Sequence, residues 1–226
     1  MAAQRRAYPS RPPGDKGQAD PNVTATLSAY HQALATEREA LMAVASARLL
    51  VPVVAMLTSL DEGTGAEKES EMALPTLIGQ DGRAAIVAFT CVEAMTRWRP
   101  DARPVPAPAA RVWHAAVAEG QAVVVDVAGP VPLVIEGARL AALAAGQVPP
   151  SPHEDPDVHA VVEQAVAAEP AVLDAALAPS AQGGDLAVRL RVASDADADA
   201  ARRAAEAIAA RLSARFRRGV ELSVSH

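Results

Sequence analysis

The apolar positions change period along the chain, and each change marks an element. From Val23 to Ala47 the larger apolar residues are Val23, Leu27, Tyr30, Leu34, Leu41 and Val44, spaced by 4, 3, 4, 7 and 3. That spacing predicts one helical face. Leu49 to Leu57 is apolar at almost every position, which reads as a strand buried on both faces. Pro52 cannot donate to a ladder, so it places this strand at an edge or a bulge. Residues 58–70, TSLDEGTGAEKES, read as a polar loop. Met72 to Ile78 and Arg83 to Phe89 then form two strands about Gly79-Gln80-Asp81-Gly82, a hairpin signal. Thr90 with Glu93 has capping-box spacing and opens a short helix carrying Val92, Met95 and Trp98, which stops before Pro100. A helix over Ala109–Ala118, a buried strand over Ala122–Val127, a turn at Ala128-Gly129-Pro130, an apolar segment to Ile135 and a helix over Ala138–Ala145 follow.

Gly146-Gln147-Val148-Pro149-Pro150-Ser151-Pro152 interrupts this pattern with three prolines in four residues, which favours an extended connector. Beyond it come a helix from Asp157 to Ala168, strands at Pro170–Leu177 and Leu186–Val192, and a long helix opened by Ser194-Asp195-Ala196-Asp197. The face of that helix is Ala201, Ala205, Ile208, Leu212 and Phe216; Gly219 stops it, and Val220, Leu222 and Val224 alternate as a last strand. The order predicts an α+β protein: a mixed sheet with flanking helices, followed by a smaller αββαβ open sandwich. The expected organisation is a disordered tail at 1–21, an α+β domain at 22–146, a Pro-rich linker at 147–156 and the αββαβ domain at 157–226.

Composition narrows the functions. Of 226 residues, 54 are Ala, and the basic residues are 19 Arg and 2 Lys, a skew typical of GC-rich coding. Aromatics at 3% and a net charge of −6 argue against nucleic-acid binding. A single cysteine excludes an intrachain disulfide framework and a Cys-based zinc site. Arg5 and Arg6 are followed by no apolar run of signal-peptide length, and no stretch is long and apolar enough to span a membrane. A cytoplasmic protein is expected.

Several segments, in order, carry a family resemblance: Arg48-Leu49-Leu50-Val51-Pro52-Val53-Val54, Glu71-Met72-Ala73-Leu74-Pro75, Ala88-Phe89-Thr90 leading to Glu93-Ala94 and Trp98, Arg103-Pro104-Val105-Pro106, and Asp126-Val127-Ala128-Gly129-Pro130. Over roughly Val23 to Gly146 the chain resembles the N-terminal domain of the SseB family of bacterial proteins. Val127 stands where that family often has Pro. The αββαβ tail resembles the C-terminal domain of some members. The resemblance implies a bacterial protein and no established reaction, cofactor or metal.

Chemistry-bearing residues each have an ordinary structural alternative. Cys91 is the only thiol, but no Gly-rich loop surrounds it, so it reads as a small residue after a strand. His153 and His159 flank Pro156 on different elements, which does not converge on a metal. Gly63 to Ser70 lacks the Gly-Lys-Ser/Thr of a phosphate loop. Arg211, Arg215, Arg217 and Arg218 form a basic patch that the dipole of their own helix explains. Glu71, Thr90, Trp98 and Asp126 lie at predicted strand ends and helix starts, where binding sites form. They are the candidate ligand- or partner-binding residues, with Thr90 and Asp126 expected at one rim if their strands are parallel neighbours. No catalytic constellation emerges. The leading expectation is a non-catalytic interaction or regulatory module for another protein. The alternatives are a sensor of a small polar metabolite, such as an amino acid, and an enzyme without a recognisable motif.

Overall fold

The computed structural model describes residues 17–60, 67–73, 75–79, 82–130, 132–193 and 198–225, with the main chain alone for 55–60, 67–73 and 198. In chain order the elements are α1 (Pro21–His31), α2 (Glu37–Ala45), β1 (Arg48–Leu60), β2 (Glu67–Ala73), β3 (Thr76–Ile78), β4 (Ala84–Ala88), α3 (Val92–Trp98), β5 (Arg103–Pro108), α4 (Ala109–Glu119), β6 (Ala122–Val125) and β7 (Leu133–Ile135). They continue with α5 (Gly137–Ala144), α6 (Pro156–Ala167), β8 (Val172–Ala178), β9 (Leu186–Val192), α7 (Ala198–Leu212) and β10 (Val220–Ser225). This is an α+β fold with mixed sheets and flanking helices. No helix among the described residues is long and apolar enough to cross a membrane.

The chain packs as two compact units, one of residues up to Thr24 with Val44–Glu136, the other of Ala25–Ala43 with Gly137–His226. The division falls after Glu136 and assigns most of α1 and α2, and all of α5, to the second unit, rather than falling at the prolines of 147–156. Pro149 is buried, and its carbonyl accepts a bond from Arg38 Nε at 3.1 Å. Of the expected tail at 1–21, residues 17–21 are described. Gly17 is buried, its carbonyl accepts the Val92 N–H at 2.8 Å, and Pro21 already begins α1; residues 1–16 lie outside the described residues.

The single helix read over Val23–Ala47 is two helices. Ala33 adopts φ +59°, and Leu34, at 74% exposure, is not part of the buried face. Thr36 and Glu39 restart the chain as a reciprocal cap: the Glu39 carboxylate accepts from Thr36 N at 2.7 Å, and Thr36 Oγ1 accepts from Glu39 N at 3.2 Å.

In the first unit one sheet has the order β2-β1-β5 and the other β3-β4-β6-β7. They meet at one antiparallel bridge: Leu50 N–H donates to Phe89 O at 2.7 Å and Phe89 N–H to Leu50 O at 2.8 Å. Alternate residues of a strand point their backbone groups to the same side. Pro52 therefore faces the side of this bridge, in the gap before the β1–β2 ladder begins at Val54↔Ala73. Its missing donor is harmless there. The same logic explains β5, whose Pro104 and Pro106 lie opposite Pro52 and Leu50, so their ring nitrogens face away from β1 on an edge strand.

The expected polar loop over 58–70 is shorter, because β1 runs to Leu60 and pairs with β2 from Glu67. Ladder pairing overrides the weak local preference of this polar stretch. The strand expected over Met72–Ile78 is split between β2 and β3, with Pro75 at the break. Leu50, Val54, Val87, Phe89 and Met95 pack with Trp98 on one face of these sheets. On the other, Val112, Trp113 and Ala116 of α4 are buried, as are Val123, Val125 and Ile135.

In the second unit the order α6-β8-β9-α7-β10 matches the expected αββαβ. β9 is central, antiparallel to β8 and parallel to β10. Leu186, Val188, Leu190 and Val192 alternate inward against Val158, Val162, Ile208, Leu212 and Phe216. Asp155, not Asp157, caps α6, accepting from Asp157 N at 2.9 Å with Pro156 in the first turn. α7 ends at Leu212 rather than continuing to Gly219, and a turn carries Phe216 into the core.

Candidate functional site

β4 and β6 are parallel neighbours in the register Ala88↔Val125, so the chain leaves both strands at one rim. β4 exits through Phe89 into Thr90, and β6 exits directly into Asp126. Asp126 adopts φ +52°, a conformation that Asp tolerates better than most side chains, and its N–H donates to Ala88 O at 2.9 Å. Its carboxylate turns back onto the neighbouring strand end. Oδ1 accepts from Thr90 N at 2.9 Å and Oδ2 from Thr90 Oγ1 at 2.7 Å. Gly129 N–H closes the turn on Asp126 O at 2.7 Å, and a Cβ at Gly129 would lie 2.9 Å from that oxygen, so the turn needs glycine for close approach. Burial pushes the Asp126 carboxyl above the ordinary range, against the lowering effects of the two Thr90 bonds and of Arg97.

The structure thus brings Thr90 and Asp126 together, with each oxygen of the carboxylate accepting a bond from Thr90. The Thr90 carbonyl in turn accepts from Arg48 Nη1 at 3.2 Å, and Arg48 also donates to Gln18 O. The pair acts as a staple between two parallel strand ends. Trp98 lies against Phe89, ring centroids 5.5 Å apart, within the apolar cluster. Glu71 is in β2, opposite Met56 in the other sheet, and its side chain lies outside the described ones.

Because the Thr90 hydroxyl is engaged by Asp126, it does not cap α3. Cys91 caps it instead, its sulfur accepting from Ala94 N at 3.4 Å, and Glu93 pairs with Arg97 at 2.5 Å rather than closing a capping box. His159 Nε2 lies 2.8 Å from the His153 carbonyl. Among the described residues no group of three or more His, Cys, Asp or Glu gathers as a ligand set. Of the Gly63–Ser70 segment, 63–66 lie outside the described residues and 67–70 begin β2.

The Arg-rich end divides. Arg211 donates to Gln164 Oε1 at 3.0 Å, and Arg217 and Arg218 are exposed. Arg215 turns inward to Glu37 Oε2 at 3.0 Å and Asp155 Oδ2 at 2.6 Å, and Glu37 also receives Arg139. Burial works against the Arg215 charge, but Glu37 and Asp155 outweigh it and hold the guanidinium above its ordinary range. This buried set of two carboxylates and two guanidiniums carries no sequence motif, since its members are scattered from residue 37 to 215.

One hollow escaped the sequence reading. It has a volume of about 180 Å³, is floored by Val51, Ile86, Val112 and Ala115, and is also lined by Arg111, Glu119 and Gln121. Gln121 Oε1 is buried without a hydrogen-bond partner among the described residues. Arg111 and Glu119 are exposed and make no ion pair among the described residues. A second hollow of about 350 Å³ lies at α6 and β8, but there His159 faces the His153 carbonyl and Asp174 is bonded to Arg191.

No curated protein and no solved structure matches the chain. The family model for the SseB protein N-terminal domain matches residues 23–142, more than half of the chain. That match spans both sheets of the first unit, the Thr90–Asp126 staple and α4: the chain belongs to the SseB family.

Proposed function

We propose that this chain is a non-catalytic protein-binding module whose hollow beside α4 receives an apolar segment of another polypeptide. One observation carries the reading. An apolar floor is flanked by two exposed charges of opposite sign, Arg111 and Glu119, that have no ion partner among the described residues. Charges placed at the margin of an apolar patch orient a partner while the patch supplies affinity. The acidic balance of −6 favours protein over nucleic acid. The single unpaired Cys91 suits a bacterial cytoplasm.

A photo-crosslinking residue at Ala115, compared with one at exposed Ala160 on α6, tests the reading in the native host. An adduct formed from position 115 and absent from position 160 supports it. No adduct from 115, or the same adducts from both positions, overturns it.

A second reading, a small-metabolite sensor, has its own observation: Gln121 Oε1, without a hydrogen-bond partner among the described residues, in a hollow sized for a few heavy atoms. Thermal shift against a panel of amino acids decides it. A ligand that raises the melting temperature of the wild type and not of Gln121→Leu supports the sensor, and a panel without effect removes it.

A further inference from the structure

The charges along the hollow beside α4 are placed symmetrically about Ala115. Arg111 lies four residues before Ala115 and Glu119 four residues after it on the same helix. At 100° per residue, Arg111 and Glu119 stand about 40° to either side of Ala115, and along the axis they are about 12 Å apart. Ala115, Arg111 and Glu119 all line the hollow and are exposed. A two-fold axis passing between Ala115 and its mate, perpendicular to the helix, sets two copies of α4 antiparallel, with Arg111 of each towards Glu119 of the other. The two charges, which have no ion partner among the described residues, satisfy each other across such an axis. This is the self-complementarity of an isologous contact.

We propose that the occupant of this groove is a second copy of the chain, paired through antiparallel α4 helices in a dimer held by two reciprocal Arg111–Glu119 pairs. The inference rests on the groove reading above and names its partner. One helix with its flanking apolar floor offers less than the roughly 800 Å² per partner of a standard interface, so the dimer is weak and concentration-dependent. Because its charges are at the rim, it weakens further in salt.

Sedimentation equilibrium of the full chain, up to about 500 µM so as to reach a micromolar-to-millimolar dissociation constant, tests this with three variants. Arg111→Glu and Glu119→Arg each place like charges opposite each other twice. Each is expected to weaken dimerisation by roughly tenfold or more. The double variant Arg111→Glu/Glu119→Arg restores both pairs with their signs exchanged and is expected to return the dimer. All four positions of charge are on the surface, and near-ultraviolet circular dichroism confirms the native fold of each variant. Restoration in the double variant after loss in both single ones establishes the contact. A wild type that stays monomeric throughout overturns the inference, and so does a dimer indifferent to the single reversals. The groove reading is judged separately by the Ala115 crosslink. An adduct of twice the chain mass supports the second copy, whereas an adduct with a different polypeptide in a monomeric protein keeps the groove and removes the dimer.

Discussion

Replacing Asp126 by Ala removes both acceptors that hold Thr90. The Thr90 N–H at 2.9 Å and its hydroxyl at 2.7 Å are left without partners at a residue only 8% exposed. Each such loss costs about 1–3 kcal/mol. Alanine at φ +52° adds about 1 kcal/mol of backbone strain. The total is about 5 kcal/mol, which at 2–4 °C per kcal/mol lowers the melting temperature by roughly 10–20 °C. The assay is specific to the first unit, because the only two tryptophans, Trp98 and Trp113, both lie in it and report its unfolding by fluorescence. Asp126→Asn is the control for charge. Its side-chain oxygen can still accept from Thr90 N, the Thr90 hydroxyl can turn to accept from the new amide, and Asn tolerates the left-handed conformation. The pH dependence has a definite sign. Burial raises the Asp126 carboxyl above its unfolded value, so the folded state holds the proton more tightly. This position therefore contributes stability below the carboxylate range, and that contribution is lost as pH rises through the folded value. Asp126→Asn lacks that loss, so its stability relative to wild type must increase with pH across this window and then level off. An Asp126→Ala protein that melts within about 2 °C of wild type refutes the staple, and a relative stability of Asp126→Asn that falls with pH refutes the burial argument.

Glu37→Gln removes the carboxylate that both Arg139 and Arg215 contact, in a site where the Glu37 and Arg139 side chains are at most 5% exposed. The expected cost is about 3–5 kcal/mol, read as a lower midpoint in urea denaturation followed at 222 nm. Cys91→Ser places a better N-cap on α3, so the melting temperature should hold or rise by an amount corresponding to less than about 1 kcal/mol, and a clear drop shows that the thiol has another role. Tyr30 donates to Arg215 O at 2.7 Å, and burial, then Glu37, push its phenol up to about 12. Its ionisation therefore withdraws stability as pH climbs from about 10, the unfolded value, to about 12, and Tyr30→Phe, about 1 kcal/mol less stable at neutral pH, should close the gap over that interval in melts paired with ultraviolet titration.

Short-range physics made much of the fold legible in the sequence. Periodicity located the αββαβ elements, glycines signalled the hairpin that joins β3 to β4, and the ordered segments between Arg48 and Pro130 pointed to the SseB family. Thr36 and Glu39 have capping-box spacing, a local signal for the break between α1 and α2 that the single helical face read over Val23–Ala47 passes over. Thr90 and Asp126 were readable as strand-end residues, but not as partners. Their bond spans 36 positions, and the one from Arg215 to Glu37 spans 178. Helix caps and hydrophobic faces are set within about four residues, and so are written locally. Only the tertiary structure decides which strands become parallel neighbours, and with that whether the Thr90 hydroxyl caps α3 or ties to Asp126. It also decides that Arg215, which sequence assigns to a helix dipole, is buried against two carboxylates. The groove beside α4 belongs to the same class, because its floor joins β1, β4 and α4, and no local pattern encodes a space between elements.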